Sequence, residues 1–280
     1  VPGILLAAPS SGSGKTAAAC ALMAAFQKKG LAVKACKCGP DYIDPMFHRK
    51  VLGVDSENLD LFFTDEATLE KTYARHGEGA DLVITEGVMG YYDGMSLDSA
   101  KASSYHVART LKLPVILVVS GRGAALSLAA VIKGMAEYRR DSGIQGILLN
   151  QVSAGIYPRL KEMLERELKS MGHPIPVLGY LPRDKAFSFE SRHLGLVTPE
   201  ETEGIKEQIS RAGDMASKTV DLERILQIAE SGAAKERPDR SGSCDRPGSG
   251  KHPDGPCIAV ARDRAFCFYY KDNLEFLKEL

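Results

Sequence analysis

The sequence predicts an α/β fold, a mostly parallel sheet with helices on both faces. Three observations carry that prediction. Short, almost wholly apolar runs such as Leu82–Glu86 and Val115–Ser120 recur along the chain, as in strands buried on both faces. Longer stretches of helical period lie between several of them, so strand and helix alternate. The first apolar run leads through a Gly- and Ser-rich turn straight into an Ala-rich helical stretch.

In chain order, Ile4–Ala8 reads as the first strand, followed by a helix from about Lys15 to Lys29 and a second strand at Val33–Cys38. Leu82–Glu86, Val115–Ser120, Gly146–Asn150 and Pro176–Tyr180 are further strands, each bounded by Gly, Pro or Asp. Helical stretches fall at Ser104–Leu111, Ala124–Arg140 and Tyr157–Met171. Ligands on such sheets bind beyond the carboxyl ends of the strands. Every candidate residue below lies at such an end.

Composition narrows the classes. With 280 residues, the chain is long enough for one large or two ordinary domains of roughly 150 residues each. Its 44% hydrophobic and 26% charged residues fit a globular protein with a real core. Lys plus Arg equal Asp plus Glu at 36 each, so no global field favours nucleic acid or an acidic membrane as partner. An anionic ligand therefore needs a local site. No apolar run reaches the roughly 20 residues of a membrane span. The opening Val1-Pro2-Gly3 has no signal-peptide pattern, and without an initiator Met it reads as processed, trimmed or cut from a larger frame. Six cysteines, at 20, 36, 38, 244, 257 and 267, form neither a disulfide framework nor a CxxC pair. Cys36 and Cys38 read as buried small hydrophobes. A cytoplasmic location is the expectation.

The pattern changes after Glu230. Residues 1–230 read as one domain. From Ser231 to Pro256, Gly, Pro, Ser and charged residues dominate, the composition of a flexible linker. Cys257–Ala261 reads as a short strand, and a helix starts near Asp272. One strand and one helix make no domain, so residues 257–280 read as the start of a second, truncated one. An exposed edge at Cys257–Ala261 would favour association. Oligomeric state is otherwise open, a homodimer included.

Ala8-Pro9-Ser10-Ser11-Gly12-Ser13-Gly14-Lys15-Thr16 follows a strand and opens a helix, the context a phosphate-binding P-loop requires. Gly12 and Gly14 let backbone amides point at phosphate oxygens, with Ser13 between them, and the helix N-terminus adds free N–H donors. Lys15 would reach the β- and γ-phosphates of ATP, and Thr16 would offer its hydroxyl to Mg²⁺. Pro9 stands where the strict pattern has its first glycine. The plainer alternative is a Gly/Ser turn with a chance Lys-Thr.

Two acidic stretches follow. Lys37-Cys38-Gly39-Pro40-Asp41-Tyr42-Ile43-Asp44-Pro45 ends the second strand, with Asp41 and Asp44 three apart in a Pro-bounded turn and Lys37 a lone cation. Taken alone, the two aspartates read first as turn-makers. Leu82–Glu86 ends in a carboxylate followed by Gly87 and Gly90, and a carboxylate at a strand end beside a P-loop suits Mg²⁺, a hard cation that needs oxygen ligands. Asp93 reads as a turn residue.

Pro9–Thr16, Lys37–Pro45 (KCGPDYIDP), Glu86–Gly94 (EGVMGYYDG) and Glu190–Val197 (ESRHLGLV) together resemble the cobyrinic acid a,c-diamide synthase family. The stretch from Ala259 to Tyr270 is also similar to that family, so the resemblance covers nearly the whole chain. It implies an ATP- and Mg²⁺-dependent ligase, with a synthetase domain similar to dethiobiotin synthetase. That domain amidates the a and c acetates of a tetrapyrrole polycarboxylate with ammonia from a fused glutaminase domain. It further implies that Asp41, Asp44 and Glu86 bind Mg²⁺ or position phosphate, that Lys37 touches the transferring phosphoryl group, and that Tyr42 and Ile43 lie near substrate. Asn150 would hydrogen-bond adenine or, equally, cap its strand. Leu181 and Pro182 would line the nucleotide edge. Arg122 is an anion contact or a solvated loop charge, and Arg192 and His193 belong to the signature without an evident role. The family's glutaminase nucleophile is absent, and Cys267 is not it.

Two rivals stand. Partner-positioning ATPases of the Par and Min type share such a sheet but carry an extra lysine early in the loop, where this chain has Pro9-Ser10-Ser11. A sister amidase acting on hydrogenobyrinic acid or nickel-sirohydrochlorin would share every motif.

Overall fold

The computed structural model describes residues 1–188, 199–233, 258–261, 263 and 266–279. Arg192 and His193 lie outside them, as does nearly all of the stretch read as linker.

Among the described residues, seven strands form one sheet: β1 (Gly3–Ala7), β2 (Val33–Cys38), β3 (Ser56–Leu59), β4 (Leu82–Glu86), β5 (Val115–Ser120), β6 (Ile144–Asn150) and β7 (Val177–Leu181). Their order is β3-β2-β4-β1-β5-β6-β7, and every ladder is parallel. The alternation read from the sequence predicts this: both faces of each central strand are apolar, so both must be covered. On β1, Leu5 and Ala7 face one core while Ile4 and Leu6 face the other.

Over the first core lie α3 (Glu66–Gly77), α4 (Ser104–Thr110), α5 (Ser127–Glu137) and α6 (Tyr157–Ser170). Leu160, Leu164 and Leu168 form a one-sided stripe on α6, the period of a helix packed on a sheet. Over the second core lie α1 (Lys15–Lys28), α7 (Pro199–Thr219) and α8 (Leu222–Ala233). Helix α1 is buried from Ala17 through Phe26, and its alanines let α7 come close. A Cβ on Gly213 would meet the Ala24 Cβ at 2.8 Å.

Six strands and three helices fall within a residue or two of their expected bounds. The helix expected over Ala124–Arg140 is shorter, Ser127–Glu137. Strand β3, α3, α7 and α8 were not delimited from sequence. Between β2 and β3 the chain forms α2 (Ile43–Phe47), which runs into a π-helical turn at His48–Leu52.

The C-terminal reading needs correction. Helix α8 extends to Ala233, three residues into the expected linker. Residues 258–261 form no strand, although α9 (Lys271–Glu279) begins where a helix was expected. Nor does the segment lie apart from the sheet. Lys271 Nζ sits 2.6 and 2.8 Å from the Asp55 carboxylate, Arg75 pairs with Asp272, and the Tyr270 hydroxyl donates to Asp60 Oδ2 at 3.0 Å. The domain boundaries at 230 and 257 remain a proposal.

Candidate functional site

The carboxyl ends of β1, β2, β4 and β6 converge on one cavity of about 930 Å³. Strand register builds its floor. Lys37 on β2 pairs with Glu86 on β4, and Glu86 also pairs with Leu6 on β1, two residues before the loop that starts at Ala8. Register partners on neighbouring parallel strands point to the same face. The pairing therefore sets the Lys37 and Glu86 side chains next to each other.

The loop has the backbone its glycines predict. Gly12 and Gly14 take φ of +75° and +99°, the left-handed region open to residues without a Cβ. A Cβ on Gly14 would lie 1.9 Å from Asn150 Nδ2. That amide instead donates to the Ser13 carbonyl at 2.9 Å and ties the loop to the end of β6. Lys15, also buried, donates to the carbonyls of Ser10 (3.4 Å) and Met89 (2.5 Å). Burial lowers its pKa, with Glu86 opposing that shift.

Opposite the loop sits the acidic constellation. Thr16 Oγ1 donates to Glu86 Oε1 at 2.6 Å, and Lys37 Nζ donates to the same oxygen at 2.8 Å. Lys37 also lies 2.6 Å from Asp44 Oδ2 and 3.8 Å from Asp41 Oδ2. Expected as a lone cation, Lys37 is buried among three carboxylates. Burial opposes its charge, but Glu86, Asp44 and Asp41 outweigh that and hold it protonated. Burial and the nearby Glu86 raise the Asp44 pKa, while Lys37 pulls it down.

Asp41 has two roles. Its Oδ1 accepts from the amides of Ile43 (2.9 Å) and Asp44 (3.3 Å), an Asx turn that starts α2, while its Oδ2 faces Lys37. Asn58 fixes the turn by donating to the carbonyls of Gly39 (2.9 Å) and Asp41 (2.8 Å). Beyond β4, Gly87 is required by crowding: a Cβ there would meet Leu6 O and Ser104 Oγ, each at 2.8 Å. Asp93 accepts from the Gly90 amide at 2.9 Å, a turn residue as read.

Lining the cavity are Gly12, Gly14, Lys15, Thr16, Lys37, Asp41, Ile43, Asp44, Glu86, Asn150 and Pro182 of the expected set, with Arg122 exposed at the rim. Three expected residues stand elsewhere. Ser13 is buried behind the loop with its Oγ on the Ser10 carbonyl. Leu181 is fully buried in the second core. Tyr42 turns away to stack on Tyr270. Met89, inside the Glu86–Gly94 motif, and Arg183, in the turn expected at the nucleotide edge, also line the cavity, whereas Gln151 and the Asp184–Ser188 turn line it from stretches that carry no motif.

The donor set fits a hard divalent cation. Thr16, Asp41, Asp44 and Glu86 present only oxygen, and the buried Glu86 Oε2 has no hydrogen-bond partner among the described residues.

Residues 4–197 match the family described as CobQ/CobB/MinD/ParA nucleotide binding domain. A cobyrinate a,c-diamide synthase of Listeria monocytogenes (serotype 4b, strain F2365) is 40% identical over 279 residues, covering 98% of this chain and 59% of its own length. One from Clostridium tetani is 40% identical over 277 residues, 99% of this chain and 59% of its own. A hydrogenobyrinate a,c-diamide synthase of Brucella suis is 40% identical over 274 residues, 98% of this chain and 60% of its own. This chain thus spans about three fifths of the length of these relatives. It belongs to the CobQ/CobB/MinD/ParA nucleotide-binding domain family.

Proposed function

We propose that this chain is the ATP-dependent synthetase part of an a,c-diamide synthase, which amidates two acetate side chains of a corrinoid ring. The observation that carries the reading is the Thr16–Glu86–Lys37–Asp44 cluster facing the P-loop, in a chain 40% identical to such synthases along nearly its whole length. A partner-positioning ATPase needs no such buried array of acids around a second lysine.

A carboxylate is a poor electrophile, so its oxygen first takes the γ-phosphoryl group of ATP. The acyl phosphate then reacts with ammonia to give amide and phosphate. The first step asks the protein for positioning and charge neutralisation. Lys15 would leave the Ser10 and Met89 carbonyls for the β- and γ-phosphates, and the loop amides around Gly12 and Gly14 would cradle them. Lys37, held protonated, would face the charge that builds on the transferring group. Thr16, Glu86, Asp44 and Asp41 would hold Mg²⁺, which neutralises phosphate charge when bound. Ile43 would face the ring, and Asn150 and Pro182 would border the base. Ammonia would come from a glutaminase domain, and two chains would form a homodimer.

The Brucella relative's name favours a second substrate, the metal-free ring hydrogenobyrinate. One experiment tests both: ATP, Mg²⁺ and ammonium are supplied with cobyrinic or hydrogenobyrinic acid, and the product is read by mass. Ring-dependent ADP release with amidated product is expected from one of them. ATP turnover indifferent to either ring would sink the reading and shift weight to a partner switch.

A further inference from the structure

His48, in the π-helical turn after α2, has a place at the site that no motif marks. Its ring is fully buried. Nδ1 lies 3.1 Å from Ser56 Oγ on β3, and Nε2 lies 3.7 Å from Glu86 Oε2. Among the described residues, neither Nε2 nor Oε2, both buried, has a hydrogen-bond partner. Orphaned buried polar atoms are few in native proteins, and each calls for an explanation. These two face each other.

The chemistry of the pair decides which atom carries the hydrogen. An ionised carboxylate only accepts, and a neutral imidazole has one donor nitrogen and one acceptor. Full burial disfavours a charged ring. Were the hydrogen on Nδ1, the Nε2 lone pair would oppose the Oε2 lone pairs in a fully buried site. With the hydrogen on Nε2, donor faces acceptor, and Nδ1 is free to accept from the Ser56 hydroxyl.

We infer that His48 is a positioning residue for Glu86: the carboxylate sets its tautomer, Nδ1 accepts from Ser56, and its Nε2–H holds Oε2 while Thr16 and Lys37 hold Oε1. At 3.7 Å the contact is longer than a hydrogen bond, but the terminal torsion of Glu is broad, and a small turn of the carboxylate closes the gap. The arrangement follows the general logic by which outer partners orient a metal-ligating side chain. In this part it rests on the reading that Glu86 serves the cation bound with nucleotide. Removing such a partner lowers metal affinity by about 10- to 100-fold.

The test has two arms. In the full chain labelled with ¹⁵N-histidine, long-range ¹⁵N–¹H correlation reads the tautomer of His48 without metal or turnover. A hydrogen on Nε2 is expected, and a hydrogen on Nδ1 overturns the inference. Mn²⁺ binding in the presence of nucleotide, followed by electron paramagnetic resonance, is then compared for wild type, His48→Gln and His48→Asn. The Gln amide nitrogen reaches the place of Nε2, whereas that of Asn reaches only the place of Nδ1. A loss of about 10- to 100-fold is expected for Asn, with Gln within a few-fold of wild type. Equal losses in both variants, or none in either, overturn it. Wild type that binds no Mn²⁺ with nucleotide defeats the reading of the site instead, while the tautomer is decided independently.

Discussion

The ring of Tyr42 stacks on that of Tyr270, centroids 4.9 Å apart at an interplanar angle of 28°. Phe268 meets the same ring edge-on at 5.7 Å. Tyr42 sits between Asp41 and Ile43, so the C-terminal segment leans directly on the acidic turn. An aromatic pair of this kind contributes about 0.5–1.5 kcal/mol beyond its buried area. Tyr270→Ala is therefore expected to speed amide exchange in α9 by roughly 3- to 10-fold. Tyr270→Phe keeps the stack, loses only the hydrogen bond to Asp60, and should do less. Hydrogen–deuterium exchange with mass readout checks this, and unchanged α9 protection in Tyr270→Ala would refute it.

The same docking is linked to protons. Burial, with the neighbouring Asp272 adding repulsion, pushes the Glu57 carboxyl from 4.5 up to about 8. Asp55, Lys271, Arg75, His76 and Glu275 also face this cluster. Asp55 is held low against its own burial by Lys271, and burial lowers the pKa of His76. With α9 docked, Glu57 keeps its proton between pH 4.5 and about 8; undocked and hydrated, it gives that proton up. Stabilisation of the docked state is thus fully present below the ordinary carboxylate range and is lost as pH rises through about 8. Exchange in α9, corrected for intrinsic rates, should speed up between about pH 6 and about pH 9, and Glu57→Gln should flatten that step.

Lys37 is the charge that makes the acidic floor tolerable. Removing one partner of a buried ion pair costs about 3–5 kcal/mol, because the other charges stay buried and uncompensated. Lys37→Met should cost that much in urea unfolding, since it strands Asp44 and Glu86 together. Adding Asp44→Asn removes one of the stranded charges and should recover part of the loss. If the double variant is no more stable than the single, charge compensation is not what Lys37 supplies.

These acids show what the sequence could and could not say. The loop, the strand ends and the residue types at them were legible, because strands buried on both faces have a strong apolar signature and glycines mark close backbone approach. Pairing was not. That Lys37 lies beside Glu86 follows from the insertion of β4 between β2 and β1, an order no local pattern encodes. Strand β3 was missed because Ser-Glu-Asn-Leu is mostly polar, its Ser56 and Glu57 buried against His48 and the C-terminal cluster. The family resemblance places Tyr42 near substrate, and nothing in a linear reading brings Tyr270 to it. His48 carries no signal of its own; only the meeting of two orphaned atoms marks it.

Asn150 was read as either an adenine contact or a strand cap, and the structure gives it a third task. Its amide packs on Gly14 and donates to the Ser13 carbonyl, so β6 holds the phosphate loop in shape from below. Losing a buried hydrogen bond and leaving its acceptor unsatisfied costs about 1–3 kcal/mol. Asn150→Ala should lower stability by that amount and weaken nucleotide binding through a looser loop. Gly14→Ala meets two obstacles, the 1.9 Å approach of its Cβ to Asn150 Nδ2 and a φ of +99°. The double variant Gly14→Ala/Asn150→Ala removes the first obstacle and leaves the second. Nucleotide affinity, titrated by calorimetry, should therefore fall further in Gly14→Ala than in Asn150→Ala and recover only partly in the double variant. Full recovery would show that crowding against Asn150, rather than the left-handed backbone, is what reserves position 14 for glycine.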